Sequence, residues 1–173
     1  MMKREALRSS LLLTSGIMPL MITLTGCDTA TEYTIPNTIC GRKIDPSLLK
    51  PLLPAGQKFK ARQESIDEKK SECVIYIDES TALRINEIRD QNKFDVWEYA
   101  RRYNNPVKSD IGEVALNSDD WLISMNPCPR RGKYHILDVI IVTGRVTEAK
   151  PKELEEFART YLPEGMKKMG CTA

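Results

Sequence analysis

Tyr134-His135-Ile136-Leu137-Asp138-Val139-Ile140-Ile141-Val142-Thr143 is the stretch on which the fold turns. In an extended chain, Leu137, Val139 and Ile141 fall on one side and Ile136, Ile140 and Val142 on the other. A run apolar on both sides predicts the central strand of a sheet. His135 shares the side of Leu137, which predicts a partly buried structural histidine at the start of that strand.

The flanking segments supply the rest of the architecture. Upstream, Trp121, Ile123 and Met125 alternate with Leu122 and Ser124 as a strand, and Asn126-Pro127-Cys128-Pro129-Arg130-Arg131-Gly132 turns the chain. Cys73 to Ile77 and Leu83 to Ile88 carry the β-branched residues of two further strands. Phe59 and Ala61 alternate with Lys58, Lys60 and Arg62, the pattern of an edge strand on which lysines discourage further pairing. Asp45-Pro46 opens a short helix with Asp as N-cap and Pro at the first position. Asp95 to Tyr103 reads as a second helix, ended by Asn104-Asn105-Pro106. After Lys150-Pro151, Leu154, Phe157, Ala158, Tyr161 and Leu162 form the apolar stripe of a third helix, which Pro163-Glu164-Gly165 is expected to break or kink. Consecutive strands with helices near the ends predict an α+β fold. The expected form is an antiparallel sheet of about five strands with helices packed on one face, in a single globular domain over residues 39–173.

The chain has 173 residues and a formal charge of +2, with 26 basic against 24 acidic side chains. That balance lacks the concentrated basic stripe of a nucleic-acid binder. Residues 1–26 read differently from the remainder. Lys3, Arg4 and Arg8 precede an apolar stretch from Leu11 to Leu24, shorter than a membrane-spanning helix needs and laid out as a secretory signal.

The signal ends in Leu24-Thr25-Gly26-Cys27. Here the sequence resembles the bacterial lipoprotein signal, whose L-x-G-C box it matches. The resemblance implies that Cys27 receives diacylglycerol and becomes the first residue of the mature chain. Two acyl chains are what stable anchoring requires. Loss of residues 1–26 removes Lys3, Arg4, Arg8 and Glu5 and leaves acidic and basic residues equal in number, so electrostatic attraction to lipid is not the expected anchor. The expectation is a cell-membrane protein held by lipid on the extracytoplasmic face, with residues 27–38 as a tether.

Four cysteines remain: Cys40, Cys73, Cys128 and Cys171. An even count in an exported chain predicts two disulfides, and the absence of any C-x-x-C spacing argues against zinc. Loop entropy does not choose among the three possible pairings, each link being worth roughly 4 kcal/mol. Cys40 with Cys73 and Cys128 with Cys171 are the expected pairs, because each would tie a helix end to the sheet.

The order C-G-R-x-I-D-P-x-L-L, then C-V-I-Y-I-D, then a C-P turn and F-A-R-T-Y-L-P-E-G-M-x-x-x-G-C is similar to small secreted actinobacterial lipoproteins of unknown function. The resemblance spans nearly the whole mature chain and implies location and fold without an activity.

Candidate chemistry is sparse. His135 is the single histidine, which excludes paired-histidine catalysis and His-rich metal sites. No Walker loop, G-x-S-x-G elbow, H-E-x-x-H or G-x-G-x-x-G occurs. Asp119 and Asp120 read as a turn. With His135 they form the rival reading of a surface hydrolase, which requires the three to converge in a cleft. Arg130, Arg131 and Lys133 make the sharpest basic cluster, suited to anionic head groups or cell-wall phosphates. The leading expectation is a domain without catalysis or cofactor that binds a ligand, an envelope polymer or a protein partner.

Overall fold

The computed structural model describes residues 33–103, 105–130, 133–142 and 149–172. Thr38–Ile39 (β1) and Arg42–Lys43 (β2) pair as a small hairpin turned at Cys40 and Gly41. The helix α1, Pro46–Leu49, starts as its sequence dictates: Asp45 accepts from the Ser47 backbone N–H at 2.8 Å and Pro46 fills the first turn. A 3₁₀ turn, Lys50–Leu52, ends it. Three strands then run as a meander: β3 (Phe59–Asp67), β4 (Lys70–Ile77) and β5 (Ser80–Gln91). After α2 (Val96–Ala100) comes a second meander of β6 (Val107–Ser109), β7 (Val114–Asn117), β8 (Trp121–Cys128) and β9 (Lys133–Ile141). The helix α3, Pro151–Lys168, completes the chain.

The two meanders meet where β5 pairs with β9, giving one antiparallel sheet in the order β3-β4-β5-β9-β8-β7-β6. β9 is its central strand, as the alternation of Tyr134 to Ile141 requires. Phe59, Ile77, Ser80 and Ile141 mark one end of the sheet, and Lys70, Gln91, Cys128 and Lys133 the other.

Each face of β9 has its own core. On one, Leu137 and Val139 join Ile75, Ile85 and Leu122 beneath Leu154, Phe157, Ala158 and Tyr161 of α3 and Leu49 of α1. On the other, Ile136 joins Trp121, Ile123 and Met125 beneath Val96 and Ala100 of α2. The helices therefore cover both faces, not one, because a strand apolar on both sides leaves neither to solvent. The sheet has seven strands, not five. The two missed, β6 and β7, are three and four residues long, and Val107-Lys108-Ser109 carries no apolar alternation.

Two further expectations are corrected. The helix α3 runs unbroken through Pro163. A proline inside a helix costs about 3 kcal/mol, but Leu162 and Gly165 on either side of it are buried and the helix end is fixed beyond it. That end lies at Gly170, φ 73°, where Cys171 N–H donates to Met166 O and Gly170 N–H to Lys167 O. This is a Schellman stop. The expected tether also overlaps the folded domain: Tyr33 lies against Phe59 with ring centroids 6.1 Å apart, and Ile35 is buried.

Both disulfides join the expected partners. Cys40–Cys73 fastens the β1–β2 hairpin to β4, and Cys128–Cys171 fastens the end of β8 to the residue just past α3. No helix among the described residues is long and apolar enough to cross a membrane.

Candidate functional site

Two buried acids occupy the middle of the sheet, one on each face. Their surroundings differ, and so does what each is able to do.

Glu87 of β5 points toward α3. Across β4 it faces Ser71, and across β9 it faces Leu137. Arg42 of β2 forms an ion pair with Glu87 in which both side chains are almost fully buried. Arg42 also donates to Cys40 O at 2.7 Å and to Ser71 Oγ at 3.4 Å. The Tyr161 hydroxyl donates to Glu87 Oε2 at 3.3 Å, and His135 Nε2 lies 3.4 Å from Glu87 Oε1 without hydrogen-bond geometry. Burial, followed by the neighbouring Glu87 charge, pushes the Tyr161 hydroxyl far above its ordinary range. Gly165 of α3 passes so close to Glu87 Oε1 that any Cβ there would collide with it. Acid, base and histidine are thus assembled, but under a helix: His135 has no exposed surface. No substrate reaches this cluster, and it acts as a polar lock between β2, the sheet and α3.

Asp138 of β9 points the other way, toward α2, and remains accessible through a cavity of about 240 Å³. Asn86 stands directly across β5 and donates to Oδ2 at 3.3 Å; Trp121, on the diagonal in β8, donates from Nε1 to Oδ1 at 2.5 Å. Among the described residues no basic side chain lies within ion-pair distance of this carboxylate. Burial pushes its pKa above the ordinary value, against the pull of the Trp121 and Asn86 hydrogen bonds and, more weakly, of the Arg102 charge.

The cavity walls come from α2 and the segment before it. Asp95 caps α2 by accepting from the Trp97 and Glu98 backbone N–H groups, which sets Val96 and Ala100 on the sheet. Tyr99 and Phe94 then meet edge-to-face, 5.9 Å apart, as one aromatic wall; Ile88, Ile123 and Ile136 complete the lining with Gln91. Tyr103 stacks flat on Trp121, 3.9 Å between centroids, and holds the indole that donates to Asp138. Burial, with the Asp138 and Tyr99 charges adding to it, pushes the Tyr103 hydroxyl up to about 12. Arg102, exposed, lies over the Tyr99 ring at 4.0 Å.

A wider, open groove of about 700 Å³ follows the β3 edge between Lys58, Lys60, Arg62 and Tyr76. Its cations are solvated, and Arg62 is paired with Glu64 and with the Tyr76 hydroxyl. It is the edge strand that the lysine pattern predicts.

The structure does not bring the hydrolase residues together. Asp120 adjoins Trp121, which pairs with Ile140, whereas His135 pairs with Asn126 near the opposite end of the same two strands. At the usual strand rise the two are roughly 20 Å apart, and Asp119 shares the bend with Asp120. Arg130 and Lys133 are exposed at the β8–β9 turn; Arg131 and Cys27 lie outside the described residues. The sequence reading missed Asp138, Glu87 and Arg42. A signal was present for the first: an aspartate in a run otherwise apolar on both sides is misplaced unless it has a use.

No family model, curated protein or solved structure matches this chain.

Proposed function

We propose that the chain is a lipid-anchored extracytoplasmic domain that binds a small ligand and does not transform it. The observation that carries this reading is the cavity over Asp138: it is concave and largely apolar, with Asp138 and Gln91 as polar groups in its lining, the usual composition of a ligand site. The assembled titratable cluster, by contrast, is sealed beneath α3. Two disulfides suit an oxidising compartment, in keeping with the Leu24-Thr25-Gly26-Cys27 box.

The anchor has a geometric consequence. Residues 27–33 span at most roughly 20 Å when extended, and Tyr33 packs on Phe59 at one end of the sheet. Arg130 and Lys133 lie at the other end. On this reading the basic turn faces away from the bilayer, toward an envelope polymer or a protein partner and not toward the head groups.

The test has two arms. A Cys27→Ser substitution with removal of residues 1–26 is expected to release the protein from the membrane fraction. Incubation of the purified protein with small-molecule pools is expected to raise its melting temperature, with the ligand recovered unchanged. Catalytic turnover of a bound molecule would overturn the reading, as would membrane retention of a Cys27→Ser variant from which residues 1–26 have been removed.

A further inference from the structure

We propose that the Asp138 cavity binds a small organic cation, an ammonium or quaternary ammonium group carried on a short apolar body. This rests on the binding function proposed above and names its ligand class.

The argument begins with an imbalance of charge. Asp138 is only 7% exposed, and its two oxygens are held by neutral donors, the Trp121 indole and the Asn86 amide. A buried carboxylate is expensive unless a cation accompanies it. The other buried acid obeys that rule, since Glu87 has Arg42. On the α2 side, the nearest cation is Arg102, which stands outside the wall over the Tyr99 and Tyr103 rings, 4.0 Å and 5.5 Å from their centroids. Arg102 acts on Asp138 only as the smallest of its electrostatic influences and forms no ion pair with it, so the carboxylate faces the cavity without a direct cationic partner.

The shape of that space agrees with the charge. A carboxylate accepts about four hydrogen bonds; Asp138 accepts two from the indole and the amide, so an ammonium finds free lone pairs. Tyr99 and Phe94 supply aromatic rings at the same cavity, and rings attract a cation within about 6 Å of their centres. The isoleucines Ile88, Ile123 and Ile136 offer apolar contact for methyl or methylene groups. The volume, about 240 Å³, corresponds to about eight water molecules of liquid. It admits a compound of choline's size. An anion is disfavoured by the acid at the floor, and a neutral apolar molecule would leave that acid uncompensated.

The experiment uses the full chain and its two tryptophans. Trp97 is 44% exposed and Trp121 is fully buried, so Trp97→Phe leaves Trp121 as the sole reporter. Choline and tetramethylammonium are titrated against its emission, with 3,3-dimethylbutanol as the uncharged counterpart of choline. The expected result is saturable change with both cations, at least tenfold weaker response to the alcohol, and at least tenfold weaker cation binding in Asp138→Asn, whose melting temperature shows it folded. If the alcohol binds as well as choline, or Asp138→Asn binds the cations unchanged, the ligand class is wrong while the binding function stands. If none of the three probes binds, the ligand class is wrong, and the binding function is decided separately by the small-molecule melting screen.

Discussion

Asn86 and Asp138 stand opposite each other on β5 and β9, and the amide of the first donates to the carboxylate of the second. The next residue along β5, Glu87, points through to the other face and pairs with Arg42. A single step of the strand's alternation therefore separates an acid locked under α3 from an acid open to a cavity. The contrast between them supplies most of the following expectations.

Replacing Arg42 by Met strands a buried carboxylate. Removal of one partner of a buried pair costs about 3–5 kcal/mol, and the loss should appear as a lower urea midpoint with the disulfides intact. Replacing Arg42 by Met and Glu87 by Leu together should restore most of it, because the desolvated charge goes as well. A single variant within about 0.5 kcal/mol of the parent, the range of ordinary surface changes, would show that the pair holds nothing together.

Asp138→Asn should behave in the opposite sense. Burial raises the folded-state pKa of Asp138 above its ordinary 3.8, so the folded protein takes up this proton more readily than the unfolded chain. The stability this group contributes is complete below 3.8 and is lost as pH rises through the raised value. Asparagine carries no such loss. At neutral pH the variant should be at least as stable as the parent, and its advantage should vanish toward a pH of about 3, below both titrations. Denaturant midpoints of both proteins across that interval check the sign.

The extent to which this was legible follows from where each signal resides. The alternation of Tyr134 to Ile141 located the central strand, and the Leu154-Phe157-Ala158-Tyr161 stripe located α3, because both are long periodic patterns that packing must satisfy. The cysteine pairs were legible once the elements were placed. What escaped are features whose cause is tertiary. Val107-Lys108-Ser109 is a strand only because β7 lies beside it. The helix continues through Pro163 because contacts beyond it outweigh the lost hydrogen bond. Arg42 and Glu87, far apart in sequence, carry no joint motif, and nothing local marks them as partners.

Gly165 illustrates the same point as a prediction. In sequence it follows Pro163-Glu164 and looks like a breaker; in the structure it is the place where α3 meets Glu87. Alanine there gains about 1 kcal/mol of helix propensity but forces a methyl group against the buried ion pair, and overpacking of this kind costs about 1–3 kcal/mol. The net effect should be destabilising. In an Arg42→Met, Glu87→Leu background the conflict with the carboxylate is gone, so the same substitution should cost measurably less, a difference read directly from a thermodynamic cycle of urea midpoints.

The Cys128–Cys171 link closes a span of 43 residues that includes all of β9 and α3. In the chain-entropy account its removal costs about 4 kcal/mol, but the location matters as much as the magnitude. The small cluster of Cys128, Met169 and Cys171 is joined to the core beneath α3 through the partly buried Met166. Besides the disulfide, the turn at Gly170 is tied to the sheet by Arg89 of β5, which donates to Met169 O at 3.0 Å from a partly buried position. Replacing both cysteines by serine should therefore loosen the C-terminal turn of α3 before the rest of the molecule. Amide exchange is expected to accelerate most at Met169, Gly170 and position 171, while Leu137 and Val139 in β9 accelerate only as far as global stability falls. Acceleration no greater at the α3 end than in β9 would mean instead that the link acts on global stability alone and does not hold that end.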